Sequence, residues 1–309
     1  MSSLVNSHRD DRMTSFRCRL RILVATGIVV ILSHLSLAQS QTVILETDRI
    51  FIAYVPPSNA DFQELYTLLM DRRALENIQE ILSPLRLPEQ LTIKTTECGV
   101  LNSWYRREST PTVTICYELL KHILDSLPSE TTPAGLTPAD AAVGQFFFVT
   151  LHEVGHATFD VLNVPIFGNE ENAADNFATF TMLQFGRGQA RRLIDGAAWA
   201  WRAYLGDYRR NPVVPTRVAA FANDHGLPQQ RFYNLLCLAF GANPKEFADA
   251  ESYLPQTRLS RCWHEYQTML HAFDQQIRPH IDQEIASRVL NANWLETLES
   301  KPVPRNSRP

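Results

Sequence analysis

Two histidines and a glutamate stand within five residues of one another near the middle of the chain, in the order His152-Glu153-Val154-Gly155-His156. On a helix, positions i and i+4 lie one turn apart on one face, so both imidazoles can point at one metal ion. Glu153 is turned by about 100° from His152 and can approach a metal-bound water without binding the metal itself. Zinc lowers the pKa of that water to about 7, and a carboxylate can take its proton. The H-E-x-x-H spacing therefore predicts a zinc centre that hydrolyses peptide bonds, with Glu153 as general base.

The five-residue pattern alone does not establish a zinc centre, because it arises by chance on the order of once in a hundred chains of this length. The alternative is a helix with one surface histidine and one histidine that is hydrogen-bonded in the core. A catalytic zinc also needs a third protein ligand and an open fourth position. A third ligand must therefore be found elsewhere in the chain.

The segment "NEENAAD", residues 169–175, offers that ligand. Glu171 and Asp175 lie four residues apart and would share one face of a helix. We expect Glu171 to bind the zinc and Asp175 to accept the spare N–H of a ligand histidine. Glu170 points about 100° away from Glu171 and has no acid four residues on, so Glu171 is the preferred ligand. Acids in a first turn also complement the helix dipole, but this alternative leaves Asp175 in the second turn unexplained.

Capping and breaking residues place the two motifs on consecutive helices. Thr137, Pro138 and Asp140 form a helix start, with an N-cap, a proline at the first helical position and an acid in the first turn. This helix should run to about residue 162, because Pro165 follows. Asn169 can cap the second helix, which is predicted over residues 170–185. Further helices are predicted over residues 189–208, 215–225, 229–240 and 260–270, with another near the C-terminus.

The first third of the chain mixes strands with one helix. Strands are predicted over residues 50–55 and 90–98, a helix over 61–82, and a hairpin from residues 102–107 and 112–119. Strands first and helices afterwards indicate an α+β fold, with a small mixed or antiparallel sheet and a mainly helical remainder. We predict a single domain over residues 42–298 and a polar, proline-rich tail over 299–309 that is disordered.

Residues 1–38 have the pattern of a secretory signal peptide. Three arginines precede an apolar run over residues 22–37, and Ser36-Leu37-Ala38 supplies small residues for cleavage. The run is short for a membrane span, which needs about 20 apolar residues, so an uncleaved anchor is the alternative. The protein is therefore predicted to be secreted or periplasmic, or else anchored to a membrane by residues 22–37.

The overall composition excludes some classes of partner. The chain is 45% hydrophobic and 20% charged, as in soluble globular proteins. Residues 1–38 contain five Arg and two Asp, so the remainder has 24 basic and 31 acidic side chains and a net charge of −7. That charge gives no electrostatic footprint for nucleic acid or for an anionic membrane surface.

Four cysteines follow the predicted signal peptide, an even number in a chain predicted to enter an oxidising compartment. They allow three pairings. The pairing with the shortest loops, Cys98–Cys116 and Cys237–Cys262, is the predicted one, and four buried free thiols are the alternative. A zinc site built from all four is disfavoured, because the sequence has no C-x-x-C spacing.

H-E-x-x-H on one helix and E-x-x-x-D on a later one resemble the gluzincin, or thermolysin-like, zinc metallopeptidases. The segment Asn102-Ser103-Trp104-Tyr105 is similar to the Asn-Ala-aromatic-aromatic segment on the edge strand of that fold, with Ser103 in place of the usual Ala. In those enzymes the strand lies beside the active-site helix and binds the substrate backbone by strand addition. The resemblance therefore implies a zincin-like fold and substrate binding by Asn102 and Trp104.

The same resemblance implies a downstream histidine that stabilises the oxyanion of the reaction. His225 is the candidate here, with Asp224 beside it to orient the imidazole. Tyr233, Tyr105 and Tyr117 are alternatives for this role. A histidine that satisfies carbonyl groups at a helix end is the other interpretation of His225.

The chain between Ile50 and Gln267 also resembles a bacterial family of predicted metallopeptidases. The similarity is carried by four segments: "ECGVLNSWYRRESTPTVTICYELL", "HEVGHATFDVLNVPIFGNEENAADNFA", "ANDHGLPQQRFYNLLCLAFG" and "LPQTRLSRCWHEYQ". Together these observations predict an exported metallopeptidase with one zinc per chain and a peptide or protein substrate. Two alternatives stay open: a non-catalytic extracytoplasmic binding or scaffold protein with a zincin fold, and a zinc hydrolase that acts on a non-peptide substrate.

Overall fold

The computed structural model describes residues 49–127, 129–132, 135–204 and 223–292. The predicted signal peptide or anchor, the predicted tail and residues 215–222 of one predicted helix lie outside the described residues. Within the described ranges, no helix is both long and apolar enough to cross a membrane.

A four-stranded mixed sheet occupies the N-terminal third of the described chain. Its strands are β1 (Ile50–Tyr54), β2 (Leu91–Thr96), β3 (Ser103–Arg107) and β4 (Pro111–Cys116), in the spatial order β1-β2-β4-β3. The strands β1, β2 and β4 run parallel, whereas β3 pairs antiparallel with β4 and forms an edge. Alternate residues of β2 are buried and β4 is buried along its whole length, as expected for inner strands.

Helices make up most of the remainder. Helices α1 (Gln63–Asp71) and α2 (Ala74–Leu82) lie between β1 and β2, and α3 (Tyr117–Asp125) follows β4. The later helices are α4 (Pro138–Val161), α5 (Glu170–Leu183), α6 (Arg187–Tyr204), α7 (Pro228–Ala242), α8 (Gln256–Gln276) and α9 (Gln283–Leu290). The prediction of an α+β fold, with a small mixed sheet followed by a mainly helical part, is confirmed.

Several predicted element boundaries are wrong: the helix predicted over 260–270 spans Gln256–Gln276, and residues 223–225 of the helix predicted over 215–225 are not helical. The helix predicted over residues 61–82 is divided at Arg73, whose left-handed backbone (φ 51°) separates α1 from α2. The second hairpin strand is predicted to reach residue 119 but ends at Cys116, and Tyr117 begins α3. Tyr117, Leu120 and Ile123 are buried at a spacing of three, so this segment buries one face of a helix.

Helix α4 begins with the predicted cap. The hydroxyl of Thr137 accepts a hydrogen bond from the backbone N–H of Asp140 at 3.2 Å, and the backbone N–H of Thr137 donates to the Asp140 carboxylate at 2.7 Å. This reciprocal pair is a capping box, which satisfies two free donors of the first turn. Arg192 of α6 donates to the same carboxylate at 2.9 Å. One aspartate thus fixes the start of α4 and its contact with α6.

Helices α4 and α6 approach each other closely at two glycines. A Cβ atom on Gly196 would overlap the backbone oxygen of Asp140, and one on Gly144 would overlap the backbone of Ala197. Gly196→Ala is therefore expected to lower the free energy of unfolding by about 2 kcal/mol, measured by urea denaturation. Gly188→Ala, in the same helix with open space around it, is the control and should be neutral or stabilising. Equal stability of the two variants would contradict the close approach of these helices.

The described residues contain two disulfides, with the predicted pairing. Cys98 is joined to Cys116, which ties the chain after β2 to the end of β4, with 5.5 Å between the Cα atoms. Cys237 of α7 is joined to Cys262 of α8, with a Cα separation of 4.9 Å. The first bond braces the sheet and the second braces the C-terminal helices.

Candidate metal centre

Helix α4 brings the residues of the H-E-x-x-H motif together on its buried part. His152, Glu153 and His156 are 3%, 5% and 9% exposed. The Nε2 atoms of His152 and His156 lie 3.3 Å apart. The two imidazoles therefore converge, as their spacing of one helical turn predicts.

The turn after α4 directs α5 back toward these histidines. Asn163 adopts a left-handed backbone (φ 52°), and Asn169 caps α5 by accepting a hydrogen bond from the backbone N–H of Asn172 at 3.0 Å. As a result, Oε2 of Glu171 lies 3.0 Å from Nε2 of His152 and 3.4 Å from Nε2 of His156. Three ligand atoms from two helices thus meet at one point.

The three atoms fit the coordination shell of zinc. Two ligand atoms that lie about 2.0 to 2.1 Å from one zinc, at a tetrahedral angle, are separated by about 3.3 Å. The observed separations of 3.0, 3.3 and 3.4 Å match this value. Two imidazole nitrogens and one carboxylate oxygen also form a ligand set of catalytic zinc sites, with the fourth position left open. His152, His156 and Glu171 are therefore a group that can hold a metal ion.

The second ring nitrogen of each histidine, Nδ1, lies within hydrogen-bond distance of a carboxylate, which can accept its N–H. Nδ1 of His152 lies 2.8 Å from Asp175, and Nδ1 of His156 lies 2.8 Å from Glu170. Such partners fix the tautomer and orientation of a ligand histidine. The sequence placed Asp175 in this arrangement and ranked Glu170 only as the weaker ligand candidate. In the structure Glu170 is instead the partner of His156.

Arg231 of α7 completes this set, and sequence reasoning missed it. Its guanidinium donates two hydrogen bonds to Asp175, at 2.8 and 2.6 Å, and lies over the ring of Trp201 at 4.4 Å. Burial raises the pKa of Asp175, but Arg231 and His152 outweigh this effect and lower it. Asp175 therefore stays ionised and holds His152 in place. Nothing local in the sequence marks an arginine 56 residues away as its partner.

Hydrogen bonds also set the charges of the ligand atoms. Burial raises the pKa of Glu171, but hydrogen bonds from His152, His156 and His225 hold it far below its usual range. Burial lowers the pKa of His156, yet hydrogen bonds to Glu171 and Glu170 raise it to about 9. The raised pKa of His156 means that its ring must lose a proton before it can bind a metal.

His225 lies at the mouth of the centre. Its Nε2 atom is 2.9 Å from Oε2 of Glu171, its ring stacks on that of His152 with 5.6 Å between centroids, and its side chain is 44% exposed. An imidazole in this place can donate a hydrogen bond to a group beside the ligands. Two of the tyrosines considered instead of His225 as stabilisers of the oxyanion make hydrogen bonds elsewhere. Tyr105 donates to Asp160, and Tyr117 donates to the backbone oxygen of Val55.

The edge strand β3 lies against α4 through alternate side chains. Ser103 donates to Oε1 of Glu153 at 2.8 Å, and Tyr105 donates to Asp160, four residues after His156 on α4, at 2.5 Å. Because successive side chains of a strand point to opposite faces, Trp104 points away from α4, where Arg106 lies over its ring at 4.9 Å. The serine contact with Glu153 is a second feature that the sequence did not reveal.

A cleft of about 380 Å³ reaches the centre. Among the predicted site residues, the cleft is lined by Asn102, His152, Glu153 and His225, but Trp104 is not part of its lining. Apolar walls come from Leu119 and Ile123 of α3, Val149 of α4 and Trp201 of α6. The arrangement offers a metal-binding group, a buried carboxylate and an exposed strand edge around one opening.

Comparisons with known proteins give one match. A family model with the description "Putative metallopeptidase" matches residues 54–277, a segment that contains all the residues of the centre. Neither a curated protein nor a solved structure matches the chain.

Proposed function

The chain belongs to the family described as "Putative metallopeptidase", and from this premise we propose that it is an exported zinc peptidase of gluzincin type. A metallopeptidase family implies a metal, and His152, His156 and Glu171 are the group that can bind it. The gluzincin assignment rests on the third ligand, which comes as a glutamate from the helix after the H-E-x-x-H helix. Two imidazole nitrogens and one carboxylate oxygen favour zinc over the harder cations Mg²⁺ and Ca²⁺, which prefer all-oxygen ligands.

One observation carries the proposal. The three ligand atoms lie at the separations of a tetrahedral shell, and each histidine is held by a carboxylate on its other nitrogen. A protein that only stored a metal would have no need of Glu153 beside this group. The buried position of Glu153 in the cleft therefore favours an enzyme over a scaffold.

Each neighbouring residue has a defined part in the proposed hydrolysis. Zinc, when bound, acts as a Lewis acid and makes a water nucleophilic at neutral pH. Glu153 takes a proton from the attacking water at its carboxylate and passes it to the leaving amine. Ser103, which donates to Oε1 of Glu153, restricts the carboxylate to one orientation. His225 donates a hydrogen bond to the oxyanion as it forms on the peptide carbonyl.

The edge of the sheet is the proposed binding place for the substrate backbone. β3 is one of the two edge strands of the sheet and lies beside α4, which carries Glu153. An extended peptide can add to such an edge through main-chain hydrogen bonds. Asn102, which immediately precedes β3 and lies in the wall of the cleft, can bind one substrate amide. This geometry favours a peptide substrate over a compact non-peptide molecule.

The two disulfides support export of the protein. Such bonds persist in oxidising compartments and are rare in the cytosol. We therefore propose that the domain acts outside the cytoplasm, after removal of residues 1–38 or while anchored by residues 22–37.

Zinc dependence is the direct test of this function. Protein reconstituted with zinc is expected to hold about one equivalent per chain and to cleave an unstructured protein such as casein. A chelator should abolish the cleavage, and added zinc should restore it. Elemental analysis and a fluorescent casein assay give the two readouts. Absence of stoichiometric metal would contradict the centre, whereas bound metal without cleavage of any peptide would favour the scaffold alternative.

A further inference from the structure

Gln145 is a buried polar residue in the wall of the cleft that the proposed mechanism does not use. It lies on α4, two helical turns before His152, and is only 2% exposed. Its side-chain oxygen is buried and has no hydrogen-bond partner. Burying a polar group without a hydrogen bond costs free energy, so such an atom in a ligand cleft points to a missing partner.

The surroundings of Gln145 define the shape and charge of that partner. Leu119, Ile123 and Val149 line the same cleft and provide an apolar passage. Glu153 is the one carboxylate in the described lining, and it lies eight residues after Gln145 on α4, about 12 Å along the helix axis. A cationic side chain would find no free acid near Gln145. The partner is therefore an apolar stem with an uncharged polar end.

Arg231, the one arginine in the described lining, which has no lysine, is also paired, so an acidic partner is disfavoured as well. Arg231 donates two hydrogen bonds to Asp175. A second carboxylate would have to compete with Asp175 and would lie in the same cleft as Glu153. Burying an unpaired charge costs far more than burying an amide.

A carboxamide is the uncharged group that best complements another carboxamide. It offers one acceptor and two donors, so it can bond to both the oxygen and the NH₂ of Gln145. Rotation of the last torsion of Gln145 exchanges these two atoms, because this torsion is broad and two-fold. A carboxamide partner is satisfied in either orientation, whereas a hydroxyl matches only one atom at a time.

The distance from the metal ligands limits which substrate residue can reach Gln145. Two helical turns separate it from His152, which is about 10 Å along the helix axis. An extended peptide advances about 3.3 Å per residue, and a glutamine side chain extends several ångströms from its backbone. A residue within about three positions of the cleaved bond can therefore reach it.

Building on the proposed peptidase function, we propose that Gln145 is a specificity residue that selects peptides with a glutamine or asparagine close to the cleaved bond. The selected side chain enters the apolar passage and pairs with the Gln145 carboxamide. The inference concerns substrate choice alone and assigns Gln145 no part in the chemical step.

Equilibrium binding tests this inference separately from catalysis. Paired peptides differ only by Gln or its near-isostere Met, placed in turn at each of the three positions on either side of the cut. Binding is measured by fluorescence anisotropy on the zinc-loaded Glu153→Gln chain, which should bind peptides without cutting them. At one position the Gln peptide is expected to bind about tenfold more tightly than the Met peptide. Gln145→Met in the same chain should bring this ratio to within about twofold.

Thr150→Val is the matched control. Its hydroxyl is also buried without a hydrogen-bond partner on α4, but it does not line the cleft. This variant should keep the tenfold preference. Melting temperature and zinc content show whether each variant is folded and loaded.

Equal binding of Gln and Met peptides at all six positions overturns the inference, and no variant is needed to obtain that result. A preference that survives in a folded Gln145→Met chain also overturns it. Neither outcome affects the proposed function, which stands or falls on zinc-dependent cleavage by the wild-type chain.

Discussion

Glu153→Gln is expected to lower kcat about 10²- to 10⁴-fold while zinc content stays at that of the wild type. The range is that of a general base removed from its reaction, because an amide cannot accept the proton of the attacking water. The substitution keeps the size of the side chain and can still accept the hydrogen bond from Ser103, which lies 2.8 Å from Oε1 of Glu153. Structure and metal binding should therefore change little. The measurement pairs steady-state hydrolysis of a peptide with elemental analysis of the same sample.

An exposed glutamate outside the cleft provides the control for this experiment. Glu64→Gln, on α1, removes the same charge without touching the centre and should leave kcat unchanged. If Glu153→Gln keeps full activity, the assignment of the base is wrong even with zinc bound. If it loses the metal, its carboxylate acts as a ligand or as a support of the ligands, and the assigned role again fails.

Local sequence signals were sufficient to predict those elements whose ends are set by residues adjacent in the chain. The capping box at Thr137 and Asp140 and the break before Pro165 define α4, and Asn169 defines the start of α5. These signals, with i, i+4 spacing, bring His152 and Glu171 within reach of each other. The two disulfides were also predicted correctly, by choosing the cysteine pairing that closes the shortest loops. The roles assigned to these site residues remain predictions until the experiments are done.

Local sequence signals did not predict the features of the structure that tertiary contacts determine. Tyr117 and the residues after it suit a strand or a helix equally well by apolar pattern, and burial of one face on the core selects the helix. The break at Arg73 requires a left-handed arginine, which no sequence preference indicates. Arg231 belongs to the centre only because α7 folds beside it, and Gln145 is recognised only from the cleft that it lines. Which of Ser103 and Trp104 faces α4 could be decided only from the position of β3 beside that helix.

The two adjacent glutamates of α5 allow the ligand assignment to be tested by a matched pair of variants. Glu171→Gln is expected to weaken zinc binding by more than 100-fold, because it replaces the proposed ligand atom that lies 3.0 Å from His152 Nε2 and 3.4 Å from His156 Nε2. Glu170→Gln removes only the partner of His156 Nδ1, and its side chain is 55% exposed. Loss of such a partner typically lowers metal affinity 10- to 100-fold. Because Glu170 is exposed to solvent, we expect Glu170→Gln to lower zinc affinity about tenfold or less.

Competition with a chromophoric chelator of known affinity measures both constants, and thermal stability gives a second readout. With zinc in excess, each hundredfold loss of affinity removes about 2.7 kcal/mol of metal-linked stability. Glu171→Gln should therefore show a much smaller gain in melting temperature on zinc addition than the wild type, while Glu170→Gln should keep most of that gain. Equal losses in the two variants would contradict the ligand assignment, and a larger loss for Glu170→Gln would exchange the roles of the two carboxylates. In that case the third ligand would come from the first residue of α5, and the histidine partner from the second.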